Sequence, residues 1–270
     1  MYRNNRSMRI PSSVNTKTYA DVTRDNLRLF ENLSEAHKAD VRFKTTFHDS
    51  QSVPPIAFVR NEEPGKETVI SVEQGDTLAV ARSYLKEDPC VLNMASVHKP
   101  GGGWLRGATA QEEMLCYRSE LYLSLAFHAH LYPLSGTSAI YSKDIVVFRD
   151  DGLEMLRPKD YYKVSFVSIP ALCIPKLIHG CLYPDDVHAT KEKIRTLLRI
   201  AALHGHMTLI LGAFGCGAYG NPPNQMATMF KDALGEQEFK TLFHRVVFAI
   251  VDGARTDNYR IFRDILSKDK

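Results

Sequence analysis

The feature that most constrains the fold is a regular alternation of apolar runs and helical patterns between Glu67 and Leu266. Short apolar runs predict strands at 68–72, 90–93, 140–148, 163–169, 207–211 and 246–251. Helical spacing predicts helices at 77–86, 111–130, 187–203, 223–234 and 258–266. Strands that alternate with helices pack as an α/β sandwich, so we predict one such domain over residues 67–270.

The first 66 residues do not follow this alternation. Residues 1–16 are polar and basic, which is typical of a poorly ordered, flexible arm. Helical spacing over 18–36 predicts a helix, and the proline-interrupted stretch 40–64 predicts extended connections or an edge strand. We therefore expect an N-terminal extension over 17–66 that packs on the domain.

Composition excludes several classes of protein. The 270 residues are 44% hydrophobic, which is enough for a large core, and a net charge of +3 does not by itself indicate nucleic-acid binding. Five cysteines without Cys-x-x-Cys spacing favour reduced thiols and a cytoplasmic location, or a nuclear one in a eukaryotic or viral setting. The sequence has neither a signal-peptide pattern nor about 18 consecutive apolar residues, so we expect no membrane association.

A triple glycine, Gly101-Gly102-Gly103, follows the predicted strand that ends at Asn93. Glycine backbone can take positive φ and approach a ligand closely, so this loop can wrap a phosphate. Thr109, followed three residues later by Glu112, fits a capping box at the start of the next helix.

The capping box would place Gln111, Glu112 and Glu113 in the first helical turn, facing the glycine loop. Glu112 would then have a structural role, whereas Glu113, rotated by about 100° around the helix, would have none. Acidic residues also suit a first turn through the helix dipole, and this alone would explain both glutamates.

A second glycine-rich stretch follows the predicted strand 207–211. Its backbone amides can bind an anion, and Asn221-Pro222 offers an N-cap and a first helical residue for the next helix. Such a turn is shared by many nucleotide-binding folds, so the signal is weak alone. We interpret Cys216, within this loop, as a structural thiol because buried free cysteines are common.

The triple glycine followed by Gln111-Glu112-Glu113 resembles the signature of bacterial-type poly(ADP-ribose) glycohydrolases of the macrodomain superfamily. The resemblance implies a macrodomain-like three-layer α/β/α sandwich with a mixed central sheet and an N-terminal helical extension. It also implies an enzyme that cleaves ribose–ribose O-glycosidic bonds and releases ADP-ribose, with Glu113 as the catalytic acid/base and Glu112 on the distal ribose. No cofactor is implied.

The resemblance and the two glycine loops give a set of positions expected to bind ADP-ribose. They are Asp76, Asn93, Gly101, Gly102, Gly103, Gln111, Gly212, Ala213, Phe214, Gly215, Cys216, Gly217, Ala218, Tyr219 and Asn221. Asp76 would accept a hydrogen bond from adenine, although Asp is also a favoured N-cap. Asn93 would hold hydroxyls of the distal ribose or only form a turn. Tyr219 or Phe214 would flank that ribose, with packing as the alternative for each.

Two other functions stay open at this point. One is a reader that binds ADP-ribose without hydrolysis, which has no need of a positioned acid. The other is a hydrolase that removes mono-ADP-ribose from a protein or nucleic-acid acceptor. We expect poly(ADP-ribose) or ADP-ribosylated macromolecules as partners, no sequence-specific nucleic-acid binding and no metal, because His204 and His206 have no third ligand nearby. The acceptor, chain-end or internal cleavage, and the oligomeric state stay undetermined.

Overall fold

The computed structural model describes residues 18–49, 52–56, 67–253 and 256–267. Its helices are α1 (Tyr19–Glu31), α2 (Glu35–Phe43), α3 (Thr77–Ser83), α4 (Gln111–Arg118), α5 (Leu121–Ala126), α6 (Pro184–Leu203), α7 (Pro223–Gly235) and α8 (Asn258–Leu266). Its strands are β1 (Thr45–His48), β2 (Val69–Gln74), β3 (Cys90–Met94), β4 (Ala139–Val147), β5 (Tyr162–Ile169), β6 (Leu177–Ile178), β7 (Cys181–Leu182), β8 (Thr208–Leu211) and β9 (Arg245–Ile250).

Seven strands form one mixed sheet in the order β1-β4-β5-β3-β8-β9-β2. The run from β5 to β2 is parallel, whereas β4 is antiparallel to both β5 and β1. Strands β6 and β7 form a separate short hairpin. The carboxyl ends of β2, β3, β8 and β9 therefore lie along one edge of the sheet, where open α/β sheets receive ligands.

Helices cover both faces of the sheet. Helices α6, α7 and α8 bury residues such as Leu198, Phe230 and Phe262 on one face. Helices α1, α3, α4 and α5 bury their apolar residues on the other. In β3, Leu92 faces the first cluster and Val91 the second, because successive side chains point to opposite faces. A strand buried on both faces reads as a continuous apolar run, which is why the sequence predicts it well. The predicted three-layer arrangement with a mixed sheet is the observed one.

The described part of the N-terminal extension contributes two helices and one strand. The predicted helix over 18–36 is α1, and Thr18 begins it with a capping box completed by Asp21. A second helix, α2, begins at the cap Ser34 and replaces the extended chain predicted from residue 40 to 43. The predicted edge strand is β1, which pairs with β4 at the edge of the central sheet. The predicted arm at 1–16 lies outside the described residues.

The helix predicted over 111–130 is wrong as a single element, since it is broken into α4 and α5. Ser119 takes an extended conformation, with φ −144° and ψ 174°. Its hydroxyl donates to Leu115 O, and Glu120 N donates to Val146 O in β4. The apolar spacing continues through Leu121 and Leu125, so the sequence pattern carries no sign of the break. Among the described residues, no helix combines the length and apolar character that a membrane crossing needs.

Candidate active site

A cleft of about 1030 Å³ opens at the carboxyl ends of β2, β3, β8 and β9. Predicted site residues that line it are Asp76, Gly102, Gly103, Gln111, Glu112, Glu113, Ala213, Gly215, Gly217, Ala218 and Tyr219. The other predicted site residues are buried and are not part of the lining: Asn93, Gly101, Gly212, Phe214, Cys216 and Asn221. The two glycine loops and the start of α4 thus meet in one cavity.

The triple-glycine loop is closed against the glutamates of α4. Gly103 N donates to Glu113 Oε1 at 2.7 Å, and Gly102 N donates to Lys99 O at 3.2 Å. Gly102 has φ +55°, and a Cβ there would collide with Glu113 Oε1 and lie 3.0 Å from Glu112 Oε2. The loop therefore positions the two carboxyl groups, with the amides of Gly102 and Gly103 donating to protein acceptors, and contact of this loop with a phosphate stays a prediction.

Glu112 is buried, and its carboxylate faces the loop that follows β3. Its Oε2 accepts from Ser96 N at 2.8 Å, and its Oε1 accepts from the Asn93 side chain at 3.3 Å. Burial raises the pKa of Glu112 to about 8; the hydrogen bonds from Ser96 and Asn93 oppose this shift, and the charge of Glu113 adds to it. A carboxyl group with this pKa is mostly neutral at pH 7.

The predicted capping box at Thr109 is wrong. Helix α4 begins after Ala110, which takes the N-cap position and forms no side-chain cap hydrogen bond. Glu112 is therefore free of helix capping, and its side chain turns instead toward Asn93 and Ser96 on the neighbouring strand end.

Glu113 lines the cleft although it is only 7% exposed. Its Oε1 is held by Gly103 N, whereas its Oε2 is buried and has no hydrogen-bond partner among the described residues. The oxygen of the Asn93 amide is also buried without a partner there, while its nitrogen donates to Ser168 Oγ at 3.0 Å. Buried polar atoms are usually hydrogen-bonded, so both oxygens are candidate contacts for a ligand.

Gln111 has a structural job that the sequence did not indicate. Its amide oxygen accepts from Met94 N at 2.9 Å, and its nitrogen donates to Leu92 O at 2.7 Å. Both bonds join the first residue of α4 to the backbone of β3. Gln111 therefore fixes where the two glutamates begin, although it also lines the cleft.

Asp76 caps α3 and also lines the cleft. Its Oδ1 accepts from Leu78 N and Ala79 N, both at 3.0 Å, and from the buried Arg118 side chain. The cap predicted as one of its two roles is therefore present. The adenine contact stays a prediction.

The second glycine loop presents backbone amides to the cleft. The amides of Gly215, Gly217, Ala218 and Tyr219 donate to no acceptor within the described residues. A Cβ added at Gly217 would meet no atom within 4 Å. These open amides fit an anion such as a diphosphate, as predicted for this loop.

The aromatic residues of the second loop differ in position. Phe214 is fully buried against Phe230, so it belongs to the core, whereas Tyr219 lines the cleft and accepts from Val97 N at 3.0 Å. Tyr219 is therefore the aromatic that can reach a ligand. Burial raises the pKa of the Cys216 thiol to about 12, in agreement with its interpretation as a structural thiol.

The predicted N-cap role of Asn221 is wrong. Helix α7 begins after Pro222, and the Asn221 side chain points back into the loop. It donates to Leu172 O at 2.8 Å and to Gly215 O at 3.2 Å, so it supports the loop from behind.

Sequence reasoning missed several polar residues of the cleft, among them Arg118, Ser96 and Asp252. Arg118 lies seven residues after Gln111 on α4, a spacing that helical periodicity alone could have placed on the same face. Ser96 contacts Glu112 through its amide, which no side-chain pattern reveals. Asp252 follows β9 and accepts from Asn258 N at 2.8 Å and Tyr259 N at 3.1 Å, so its carboxylate holds the first turn of α8.

The family described as microbial-type PARG, catalytic domain, where PARG denotes poly(ADP-ribose) glycohydrolase, matches residues 11–150. This segment is more than half of the chain and includes the triple glycine and both glutamates. The chain belongs to this family. The family and enzyme class predicted from the sequence are thereby confirmed. A search of curated proteins gives no significant match.

Solved structures of bacterial poly(ADP-ribose) glycohydrolases share the fold over most of the chain. The enzyme from Thermomonospora curvata matches with TM-score 0.80 and 28% identity, over 92% of this chain and 99% of its own. Bound to the inhibitor ADP-HPD, it matches with TM-score 0.76 and 30% identity, over 90% and 97%. The enzyme from Deinococcus radiodurans in complex with ADP-ribose matches with TM-score 0.73 and 27% identity, over 86% and 98%. The predicted macrodomain-like fold is therefore confirmed.

Proposed function

We propose that this protein hydrolyses the ribose–ribose O-glycosidic bonds of poly(ADP-ribose), with Glu113 as the catalytic acid/base. The observation that carries the proposal is the state of the Glu113 carboxyl: one oxygen is fixed by Gly103 N, and the other is buried without a partner among the described residues. A group held this way has one oxygen left to exchange a proton with a bound substrate.

Glycoside cleavage passes through an oxocarbenium-like state and needs a proton on the leaving oxygen. Glu113 supplies that proton to the bridging oxygen as the bond from this oxygen to the anomeric carbon breaks. Water then adds to the anomeric carbon and returns a proton to Glu113. The products are ADP-ribose and a polymer that is shorter by one ADP-ribose unit.

The other parts of ADP-ribose fit the remaining wall. A neutral Glu112 can donate to a ribose hydroxyl while Asn93 accepts from one, because the Asn93 amide oxygen has no partner within the described residues. The open amides of Gly215, Gly217 and Ala218 suit the diphosphate. Asp76, which also lines the cleft, suits the adenine amino group.

The geometry also bears on a reader that binds ADP-ribose without cleaving it. Such a reader gains nothing from two buried carboxyls in contact with one loop, and keeping them there is costly because burial disfavours the charged form. This observation favours an enzyme. A hydrolase of mono-ADP-ribose would use the same acid, so the two hydrolytic activities differ only in what lies beyond the scissile bond.

One chromatographic assay separates these functions. The protein is incubated with poly(ADP-ribose) and, separately, with mono-ADP-ribosylated protein, and released ADP-ribose is quantified. We expect release from the polymer, a loss of about 10²- to 10⁴-fold for Glu113→Gln, and retained ADP-ribose binding by calorimetry. Near wild-type turnover by Glu113→Gln would remove the acid/base assignment. Wild-type binding with no cleavage of either substrate would establish the reader.

The proposal extends to conditions and partners. ADP-ribose binding is expected to persist in EDTA, because no group of three metal-ligating side chains occurs among the described residues. Binding that disappears with chelator and returns with magnesium would contradict this. The proposed partners are ADP-ribosylated macromolecules. The proposed location is the cytoplasm, because five free cysteines favour a reducing compartment.

A further inference from the structure

Two exposed cations flank the triple-glycine loop. Lys99 lies before the loop, and Arg106 lies after it, at the end of a short 3₁₀ turn (Trp104–Arg106). Both line the cleft together with Glu113, and neither forms an ion pair within the described residues. Arg24 and Arg157, in contrast, pair with an acid three residues away.

Backbone hydrogen bonds tie both residues to the loop that holds the catalytic carboxyl. Arg106 N donates to Gly103 O at 2.8 Å, and Gly103 N in turn donates to Glu113 Oε1 at 2.7 Å. Lys99 O accepts from Gly102 N at 3.2 Å. Both cations therefore belong to the loop that holds the acid, and both line the cleft.

The charged residues that line the cleft differ in sign and in whether they are paired. At the end formed by β2 and β9, the lining acids are Asp76, which is paired with Arg118, and Asp252, which accepts amides of α8. Asp151 is exposed on the cleft wall. The unpaired positive charge of the described lining lies at the glycine-loop end. An anion beyond the scissile bond would meet this charge.

The proposed substrate carries such an anion. In poly(ADP-ribose), the oxygen that Glu113 protonates belongs to the ribose of the next unit, and that ribose bears its own diphosphate. The open amides of the second loop are assigned above to the diphosphate of the unit being released, so the diphosphate of the next unit needs other partners. We propose that Lys99 and Arg106 form a subsite for the diphosphate of the ADP-ribose unit on the far side of the scissile bond. The proposal rests on the proposed glycohydrolase function.

The test compares two substrates that share the released unit. One is an ADP-ribose trimer, and the other is an ADP-ribose glycoside with a neutral aryl leaving group. The variant is Lys99→Ala/Arg106→Ala, and the matched control is Lys231→Ala/Lys240→Ala, which removes two exposed lysines outside the cleft. Values of kcat/KM are measured for both substrates over a range of salt concentrations.

The ratio of kcat/KM for the trimer to that for the aryl glycoside should fall by about 2- to 30-fold in the cleft variant, as for the loss of two exposed charge contacts. The control should keep the ratio. The salt dependence of trimer cleavage should become shallower in the cleft variant, because fewer counterions are displaced. An unchanged ratio, or an equal fall in the control, would overturn the subsite.

A binding measurement keeps the subsite testable without turnover. In a Glu113→Gln background, the added Lys99→Ala/Arg106→Ala change should weaken trimer binding more than binding of free ADP-ribose. Equal weakening would contradict the subsite. A wild-type protein that cleaves neither substrate would instead remove the proposed function, so the two failures are distinct. A protein that prefers ADP-ribosylated nucleic acid over the trimer would reassign the two cations to an acceptor phosphate.

Discussion

The two glycine loops of the cleft look alike in sequence, yet the structure uses them in opposite ways. In the first, Gly102 and Gly103 pack against carboxylate oxygens, and their amides are taken by protein acceptors. In the second, Gly217 faces open space, and neighbouring amides have no acceptor within the described residues. Glycine thus permits close packing of an acid in one loop and close approach of an anion in the other. The first loop is expected to control kcat and the second KM.

The largest effect concerns the carboxyl groups that the first loop encloses. The pKa of Glu112 is about 8 in the folded chain and near 4.5 when the chain is unfolded, so ionisation opposes folding. Wild-type stability should therefore decline as pH rises from about 4.5 to 8, and Glu112→Gln should lack that decline. The free-energy difference between the two should grow across this window by up to roughly 5 kcal/mol.

Chemical denaturation at intervals between pH 4 and pH 9 measures this difference, with the exposed Glu154→Gln as the control. A difference that does not change with pH would show that Glu112 is ionised at no cost. The functional contrast between the two loops would then be weaker, because the first loop would hold an ordinary carboxylate.

The next effect is a loss of turnover on adding one methyl group to the first loop. A Cβ at Gly102 would displace Glu113, and misplacing a catalytic group by about 1 Å can cost about 10²-fold in rate. Gly102→Ala should therefore lower kcat by about that factor. Gly136→Ala is a matched control, since Gly136 also has φ +55° but has no atom within 4 Å of the added Cβ. If both variants lost turnover equally, backbone strain rather than carboxyl displacement would be the cause.

The sequence predicts those parts of the site that depend on local contacts and misses those that depend on long-range contacts. Periodicity places the strands and helices because both faces of the sheet are buried, and the sheet edge then brings the two loops together. Which acceptors the loop amides donate to depends on tertiary contacts. Thr109 and Asn221 both match local capping patterns, but Ala110 and Pro222 take the cap positions. Asn221 instead donates to Leu172 O, a contact across 49 residues that no local pattern contains.

A smaller effect is expected in the second loop. Gly217→Val would place a branched side chain where the open amides face the cleft, so it should raise KM by about 10-fold, or about 1.4 kcal/mol, and change kcat less. Gly235→Val is the control, because a Cβ at Gly235 likewise has no neighbour within 4 Å and Gly235 lies at the end of α7. Steady-state kinetics on poly(ADP-ribose) measures both. A fall in kcat with KM unchanged would assign this loop to catalysis and remove the contrast with the first.

The smallest effect concerns Tyr219, where the second loop touches the chain that follows β3. Its hydroxyl accepts from Val97 N at 3.0 Å, so Tyr219→Phe leaves that amide without its partner while keeping the ring. A net hydrogen bond contributes about 0.5–1.5 kcal/mol, so we expect a loss of stability of that size and a rise in KM of a few fold. Tyr219→Leu removes the ring as well and should raise KM further if the ring flanks the distal ribose. Phe214→Leu, in the core, should lower stability without this rise in KM. Equal KM values for the Phe and Leu variants at Tyr219 would limit this residue to joining the loops.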